Sequence, residues 1–301
     1  MEEKIIQTSE NYFFFLLLTF FLFIASLIVF SQENDSTQTQ EKPKKDNRPV
    51  KNPFESGYLI NNQTVLIPTA KTLEMVIQHR FGNLGAEEFD MGGLYAPSNI
   101  RIGFNYSLCD WALVGIGSTK NYKLQDIQYK VALLKQTRSG SIPVSVTYFG
   151  NTAIDVRKDT TITTTNRLSY FNQLIISRKF GKWASVQIAP SYSHFNIVDT
   201  LVKHDNIAIS FNGRIRATDA IGIVFEYDLP LTKQDTTIIK VKPNLGIGIE
   251  AGTSGHMFQI FFGSYNNIIN QYNVLYNKND FATDKLKGMA IGFNITRLWN
   301  F

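Results

Sequence analysis

The chain ends in the stretch IGFNITRLWNF (291–301), in which every second residue is apolar except Arg297. That apolar face consists of Ile291, Phe293, Ile295, Trp299 and Phe301. A period of two with one apolar side is typical of a β-strand. A last strand that ends on an aromatic residue is the kind by which outer-membrane β-barrels are recognised for insertion. We therefore expect two partners, the lipid bilayer of the cell outer membrane and the barrel-assembly machinery, which would act on this strand.

The same alternation recurs along the chain. It is clearest in 98–106, 205–216, 219–228 and 243–251, where Ile, Leu, Phe or Tyr alternates with polar residues or Gly. Similar segments start near Leu73, Trp111, Leu124, Ile142, Asn166, Lys182, Gly255 and Met289. Only helices and closed barrels satisfy every backbone polar group inside lipid. The pattern predicts an all-β fold, a transmembrane antiparallel up-and-down β-barrel of about twelve strands.

The connections between these segments separate a membrane barrel from a soluble β-sandwich. Long connections, such as 82–97, 151–166 and 266–288, take turns with short ones such as SLCD, FGK and TSG. Two connections, KNYK and KQTRSGS, depart from the series. Outer-membrane barrels have short periplasmic turns, long outer loops and an even number of strands. A sandwich has no reason to alternate in this way.

The first 72 residues divide into three parts. Residues 1–31 contain the apolar run 12–30 and are expected to be a signal peptide, with an uncleaved membrane helix as the alternative. The polar segment 32–56 should be a disordered periplasmic linker, which leaves the barrel at 57–301. The segment GYLINNQTVLIPTAKT (57–72) should pack along the rim as a short strand or turn; a plug in the periplasmic mouth is the alternative.

Aromatic residues test the predicted topology. Under it Trp111, Trp183 and Trp299 fall at the periplasmic ends of their strands, while a set of tyrosines falls at the extracellular ends. That set is Tyr129, Tyr148, Tyr170, Tyr192 and Tyr227. Amphipathic rings favour the headgroup level of a bilayer. We expect these residues, together with Phe301, to mark the two membrane interfaces.

The charged residues of the strands are expected to point into the lumen. The candidates are Glu74, Arg80, Arg101, Lys130, Arg214, Glu226 and Glu250. Charges of both signs can pair there as a structural network that fills a narrow barrel. Alternatively, they form a polar lining that selects small solutes. Inward-facing glycines, such as Gly103 and Gly222, leave space for large neighbours or for solute.

Composition and motifs exclude several function classes. Charged residues are 18% of the chain and basic residues are scattered, which argues against nucleic-acid binding. The single cysteine, Cys109, excludes a disulfide framework, and no Cys/His spacing indicates zinc. The loop SHFNIVDTLVKHD carries His194 and His204 and is expected to be solvated, with metal binding as the alternative. His79 is expected to be a rim or packing residue. Without a catalytic motif we expect no enzyme and no cofactor.

Several motifs stand in an order that resembles a known family. They are HRFG (79–82), NIRIGFNYSLCDWALVGIGSTK (99–120), PVSVTYF (143–149), RLSY (167–170), QLIISRKF (173–180), GHMFQIFF (255–262) and GFNITR (292–297). They are similar to an uncharacterised β-barrel family of Bacteroidota outer membranes, a domain of unknown function. The resemblance implies a barrel in the outer membrane. It implies no activity and supplies no catalytic positions.

Three functions follow as hypotheses. The leading one is a channel or transporter for small polar solutes. The alternative is a plugged structural or partner-binding barrel without transport, with a periplasmic or cell-surface protein as its partner. The third is a membrane-embedded hydrolase that works at the outer loops.

Overall fold

The structure, a computed structural model, describes residues 46–84, 91, 93–253 and 255–301, without the side chains of 285 and 286. The expected signal peptide and the first part of the expected linker lie outside these residues. Within them, no helix has the length and apolar character needed to cross a bilayer.

Fourteen strands are present in the described part of the chain. Two short ones form a hairpin, β1 (Tyr58–Leu59) and β2 (Asn62–Gln63). The others are β3 (Thr72–Asn83), β4 (Asn99–Cys109), β5 (Ala112–Thr119), β6 (Leu124–Leu134), β7 (Ser145–Asp155), β8 (Leu168–Phe180), β9 (Ala184–Phe195), β10 (Asp205–Arg216), β11 (Ile221–Pro230), β12 (Asn244–Gly252), β13 (His256–Gly263) and β14 (Ala290–Asn300). One α-helix, α1 (Asn270–Tyr276), and three 3₁₀ turns, Asn121–Lys123, Thr165–Arg167 and Lys285–Gly288, complete the set.

Strands β3 to β14 form a closed antiparallel barrel in sequence order. Closure is made by β14 against β3, where Trp299 pairs with Leu73 and Asn294 with Gln78. The predicted twelve-strand up-and-down barrel is confirmed. The predicted segment 205–216 coincides with β10, and 243–251 differs from β12 by one residue at each end. The period-two pattern located these strands well because a closed barrel keeps one face of each strand in a single environment throughout.

The alternation separates two faces of the wall. Outward residues are apolar and exposed; Ile116, Ile127 and Ile260 are 61%, 64% and 66% exposed. Inward neighbours such as Gln128 and Gln259 are buried. Because this apolar face surrounds the whole closed sheet, it suits contact with lipid rather than with a second sheet.

The two ends of the barrel differ as predicted. Four connections at one end are short: 110–111, 181–183, 217–220 and 253–255. Most connections at the other end are long, including 156–167, 231–243 and 264–289. The two departures from the series are 120–123 and 135–144. Short turns mark the periplasmic end of an outer-membrane barrel, and we name the ends accordingly.

The tryptophans share the periplasmic end. Trp111 and Trp183 lie in turns there, and Trp299 lies near the end of β14. Lys135 Nζ stands 4.6 Å from the ring centroid of Trp111, and the Arg297 guanidinium carbon 5.6 Å from that of Trp299. Phe301, 80% exposed, follows at the same end. Aromatic rings with nearby cations suit the headgroup level of a membrane.

The five tyrosines predicted at the extracellular ends of their strands lie at different depths along the wall. Tyr170, Tyr192 and Tyr227 lie in the extracellular halves of β8, β9 and β11. Tyr129, however, lies midway along β6, and Tyr148 lies near the periplasmic start of β7. Their ring centroids are 5.8 Å apart on the outer face. Tyr129 covers Gly150 of the neighbouring strand, so the cross-strand register, which the sequence pattern does not give, determines its depth.

The N-terminal segment 46–66, which we call the plug, enters the barrel from the periplasmic end. Its first contacts are there, where Val50 N–H donates to Gln136 O and Asp46 pairs with Arg138. Its hairpin β1–β2 then lies inside the wall, and Lys71 N–H donates to Ser107 O back at the same end. The expectation that 57–72 packs along the rim is therefore wrong. Ordered chain also begins before residue 57, because Phe54 is only 1% exposed.

Candidate functional site: the filled lumen

The tip of the hairpin is bound by side chains of the wall. The amide N–H groups of Asn61 and Asn62 donate to Glu226 Oε2 at 2.9 and 3.1 Å. Arg80 Nη2 donates to the carbonyl oxygen of Ile60 at 3.2 Å. Asn294 Nδ2 donates to the same oxygen at 2.5 Å. These are charge-assisted or fully buried hydrogen bonds, so the tip is held in one position.

The tip itself has an unusual backbone. Ile60 adopts φ 55°, a left-handed conformation that is an outlier for a β-branched residue. It stands in the two-residue connection between β1 and β2, a position where a hairpin turn favours Gly. Such a conformation costs about 1–3 kcal/mol and persists only where the surroundings enforce it. The contacts from Arg80, Asn294 and Glu226 are those surroundings.

Elsewhere the wall binds mostly main-chain atoms of the plug. Gln259 Nε2 donates to Tyr58 O at 2.9 Å, and Gln187 Nε2 to Gln63 O at 2.7 Å. Lys130 Nζ donates to Gly57 O and Leu66 O at 3.3 and 3.2 Å. A buried peptide group without a partner is costly. The polar lumen therefore supplies the partners that a sheet would otherwise give.

One side of the lumen is apolar and completes a hydrophobic core. Phe54, Leu59, Ile60 and Val65 of the plug pack against inward-facing residues of β7 to β11 and β13. Those wall residues are Phe149, Phe171, Ile175, Ala189, Ala208, Val224 and Phe261. Such a surface is unfavourable in water at roughly 25 cal/mol per Å². The plug therefore shields this apolar surface from water, as a layer of core residues does in a soluble protein.

Two buried ion pairs on the inner face of the wall each span one intervening strand, and both do so over a glycine. Arg101 of β4 and Asp126 of β6 bond at 2.6 Å, although β5 runs between them. The intervening strand has Gly117 at this level, and a Cβ there would overlap the Arg101 guanidinium. Arg214 of β10 and Glu250 of β12 bridge β11 over Gly222 in the same way. The inward glycines thus make room for large neighbours.

The extracellular half of the lumen is closed by a second insertion, residues 264–277, which we call the outer cap. It contains α1, whose Gln271, Val274 and Leu275 are buried. Gln271 Nε2 donates to Asn151 Oδ1 and Ser169 Oγ of the wall, both at 3.2 Å. Asn270 Nδ2 donates to Asn62 Oδ1 of the plug at 3.2 Å. Plug and cap therefore meet inside the barrel.

Three cavities show how complete the filling is in the described residues. A space of about 350 Å³ lies at the periplasmic mouth beside Glu55, Glu74 and Arg214. Another of about 570 Å³ opens at the extracellular mouth above the outer cap. Between plug and cap the space lined by Asn61, Gln63 and Asn270 is only about 10 Å³. That volume accommodates about one water molecule.

We call the 570 Å³ space the outer vestibule. Its floor includes Tyr272 and Tyr276 of α1, whose ring centroids are 5.7 Å apart. Burial, and secondarily the carboxylate of Asp199, raises the pKa of Tyr276 to about 12. The Arg157 guanidinium carbon lies 4.8 Å from the ring centroid of Tyr122 and the side chain is bonded to Asp155 at 2.5 Å. The vestibule thus combines aromatic rings with charges of both signs.

All seven charged residues expected in the lumen are buried there, between 0% and 8% exposed. Arg80, Lys130 and Glu226 bind the plug, and Glu74 lies against Gly57 and accepts from Asn105 Nδ2 at 2.7 Å. Arg101, Arg214 and Glu250 make the ion pairs. Their role as a solute lining stays a prediction. The sequence analysis missed Asp126, Gln259 and Asn294, although strand alternation already placed them inward.

The histidines and the cysteine lie outside this site. His79 is on the outer face of β3, stacked on Phe293 at 5.0 Å between centroids. His194 Nδ1 is 2.7 Å from Asp205 Oδ1, and His204 Nδ1 is 2.6 Å from Phe195 O. Cys109 is exposed. Across the described chain, His, Cys, Asp and Glu form no group of three or more that could hold a metal ion.

The fold and the membrane-facing wall agree with a family match. Residues 54–299 match the family described as membrane bound beta barrel domain (DUF5777), and the chain belongs to that family. The protein is thus an outer-membrane β-barrel, as predicted, and contacts the lipid bilayer. The restriction to Bacteroidota stays a prediction.

Several solved structures are similar in fold. The NanC porin is 8% identical, with a TM-score of 0.49 over 76% of this chain and 99% of that one. The KdgM porin is 6% identical, with a TM-score of 0.44 over 76% and 99%. An outer membrane channel from Pseudomonas putida F1 is 10% identical, with a TM-score of 0.45 over 77% and 97%. Among curated proteins no sequence matches this chain.

Proposed function

We propose that this protein is a plugged, partner-binding outer-membrane barrel rather than a constitutively open channel. The observation that carries the proposal is the clamp on the hairpin tip, in which fully buried Glu226 accepts two plug amides. An open pore would leave the apolar wall around Phe149 and Phe171 in water, whereas the plug covers it. The plug also emerges at the periplasmic end, where a periplasmic protein would reach it.

A second function, gated passage of small polar solutes, is favoured by one observation. The wall opposite the apolar patch is polar and charged, with Arg101, Asp126, Gln128 and Lys130 turned inward. If the plug were withdrawn, this side would offer a hydrated, charge-lined path. The channel hypothesis would then describe the state of the barrel in which the plug has been displaced.

The proposal extends to two further points. We infer that the protein is not an enzyme, because its buried charged residues are used in ion pairs and in binding the plug. Substituting His79, His194 and His204 should therefore leave no catalytic deficit to measure. We also infer that the barrel-assembly machinery acts on β14, whose outer face carries Ile291, Phe293 and Ile295.

Planar-bilayer conductance of the purified full-length protein tests both functions. The plugged barrel predicts no stable open level for the unmodified protein, and Glu226→Ala, which unclamps the tip, should introduce brief openings. The control is Gln125→Ala, an outer-face substitution that should stay silent. Steady conductance of the unmodified protein would contradict the plugged barrel. Transient openings of the unmodified protein, made more frequent by Glu226→Ala, would favour the gated channel.

A further inference from the structure

The outer vestibule has the dimensions and accessibility of a ligand site. Its volume of about 570 Å³ falls within the roughly 300–1,000 Å³ typical of small-molecule pockets. It opens to the extracellular side and is closed below by the outer cap. The residues that clamp the hairpin tip, Arg80, Glu226 and Asn294, do not line the vestibule, so it is distinct from that clamp.

The vestibule is organised before any ligand arrives. Arg167 spans the loop 156–167 from within, and its Nη1 donates to Asp155 O at 3.1 Å and its Nε to Ile162 O at 3.4 Å. Asp159 Oδ1 accepts the Thr161 N–H at 2.9 Å. The floor is fixed because Gln271 and Asn270 tie α1 to the wall and to the plug. A prearranged site loses less entropy on binding.

Its charges exclude simple ions as the main ligand. The lining carries three cationic side chains, Arg157, Lys158 and Arg167, and three acidic ones, Asp155, Asp159 and Asp199. Asp155 is bonded to Arg157, and Arg167 is engaged with loop carbonyls. A simple anion would be repelled by the three aspartates, and a simple cation would be repelled by the Arg and Lys side chains. The balance favours a ligand that both donates and accepts hydrogen bonds and carries no net charge.

The aromatic floor adds a second requirement, an apolar ring face. Tyr272 and Tyr276 lie side by side, and the centroid of Phe195 is 5.2 and 5.7 Å from theirs. The hydroxyl of Tyr276, like that of any tyrosine of ordinary pKa, is protonated at neutral pH, and burial raises its pKa further. It can therefore donate to a ligand, while Asp199 accepts from one and Lys158 donates from the side.

We propose that the outer vestibule binds a neutral, polyhydroxylated ring compound, that is, a mono- or oligosaccharide, at the cell surface. One face of a sugar ring carries C–H groups that pack on the half-buried ring of Tyr276, and its hydroxyls bond to Asp199 and Lys158. The sugar is either free in solution or part of a lipid-linked glycan of the same outer leaflet, since both present the same chemistry.

The test is retention of full-length protein, in detergent micelles, on an array of neutral oligosaccharides, followed by titration of a retained sugar. Tyr276→Ala and Asp199→Asn should each weaken binding at least about tenfold, equivalent to 1.4 kcal/mol. Tyr276→Phe keeps the ring and should bind more tightly than Tyr276→Ala. Tyr95→Ala, at an exposed tyrosine of another outer loop, is the matched control and should bind like the unmodified protein.

Heat-modifiable electrophoretic mobility shows whether each variant is folded, and the titration uses only folded ones. Two competitors separate the two sources of sugar. A free oligosaccharide should displace the bound sugar if the ligand is soluble, and vesicles that carry lipid-linked glycan should displace it if the ligand is a membrane glycan. Failure to retain any neutral sugar at about 1 mM, retention of charged glycans alone, or unchanged binding by both variants would overturn the proposal. These sugar-binding results do not test the conductance prediction, so the failure of this proposal and the failure of the plugged-barrel proposal can be told apart.

Discussion

Glu226 shows how much one inward residue determines in this barrel. Its carboxylate is fully buried, accepts the amides of Asn61 and Asn62, and also accepts the hydroxyl of Tyr265. It thereby joins the plug to the outer cap. A neutral acceptor of the same shape would keep part of this role, whereas a methyl group would keep none.

Replacing Glu226 by Ala should loosen the hairpin tip. Two buried N–H groups would lose their acceptor, at about 1–3 kcal/mol each. Hydrogen exchange of the Asn61 and Asn62 amides, followed by mass spectrometry, should accelerate by about tenfold to a hundredfold. Glu226→Gln, which retains one acceptor oxygen, should show a smaller change. Equal protection in the Ala variant and the unmodified protein would mean that the clamp does not hold the tip.

At the scale of elements, the outer cap depends on the loops around it. Lys242 Nζ, at the end of loop 231–243, bonds Asp280 Oδ2 at 2.5 Å. Asp280 Oδ1 accepts the Ala282 N–H at 2.9 Å. Partial burial alone would raise the pKa of Asp280, but the hydrogen bonds from Lys242 and Ala282 outweigh burial and lower it. The contact therefore joins the chain just after α1 to loop 231–243.

The lowered pKa gives this fastening a defined pH dependence. A carboxyl whose pKa is depressed by folding stabilises the structure above its unfolded pKa, about 3.9, and loses that contribution as pH falls through the lower folded value. Below about pH 4 we expect 264–289 to loosen, measured as faster cleavage by pepsin in this segment. In Asp280→Asn cleavage should be fast throughout the acid range. Acid-independent cleavage of the unmodified protein would count against this role of Asp280.

At the scale of the whole molecule, the outer face must meet lipid all around the barrel. Ile127, two residues from the midpoint of β6 on its outer face, is 64% exposed. Arg at the midplane of a transmembrane barrel costs about 2–4 kcal/mol. Ile127→Arg should reduce the folding free energy into phospholipid vesicles by this amount in urea titrations. Ile238→Arg, at an outer loop, should be close to neutral, and equal effects would argue against lipid at Ile127.

The alternation of residues along the chain is enough to specify the barrel wall. Strand number, up-and-down order and the inward set from Glu74 to Glu250 follow from a period of two, because each strand residue meets either lipid or the interior. The contents of the lumen, in contrast, depend on contacts between residues that are far apart in the chain. Asn61 and Glu226 are 165 residues apart, and Ile60 and Asn294 are 234 apart. The plug also takes a backbone conformation at Ile60 that its own residues disfavour. No local pattern encodes such a segment, since its partners exist only after the barrel has closed around it.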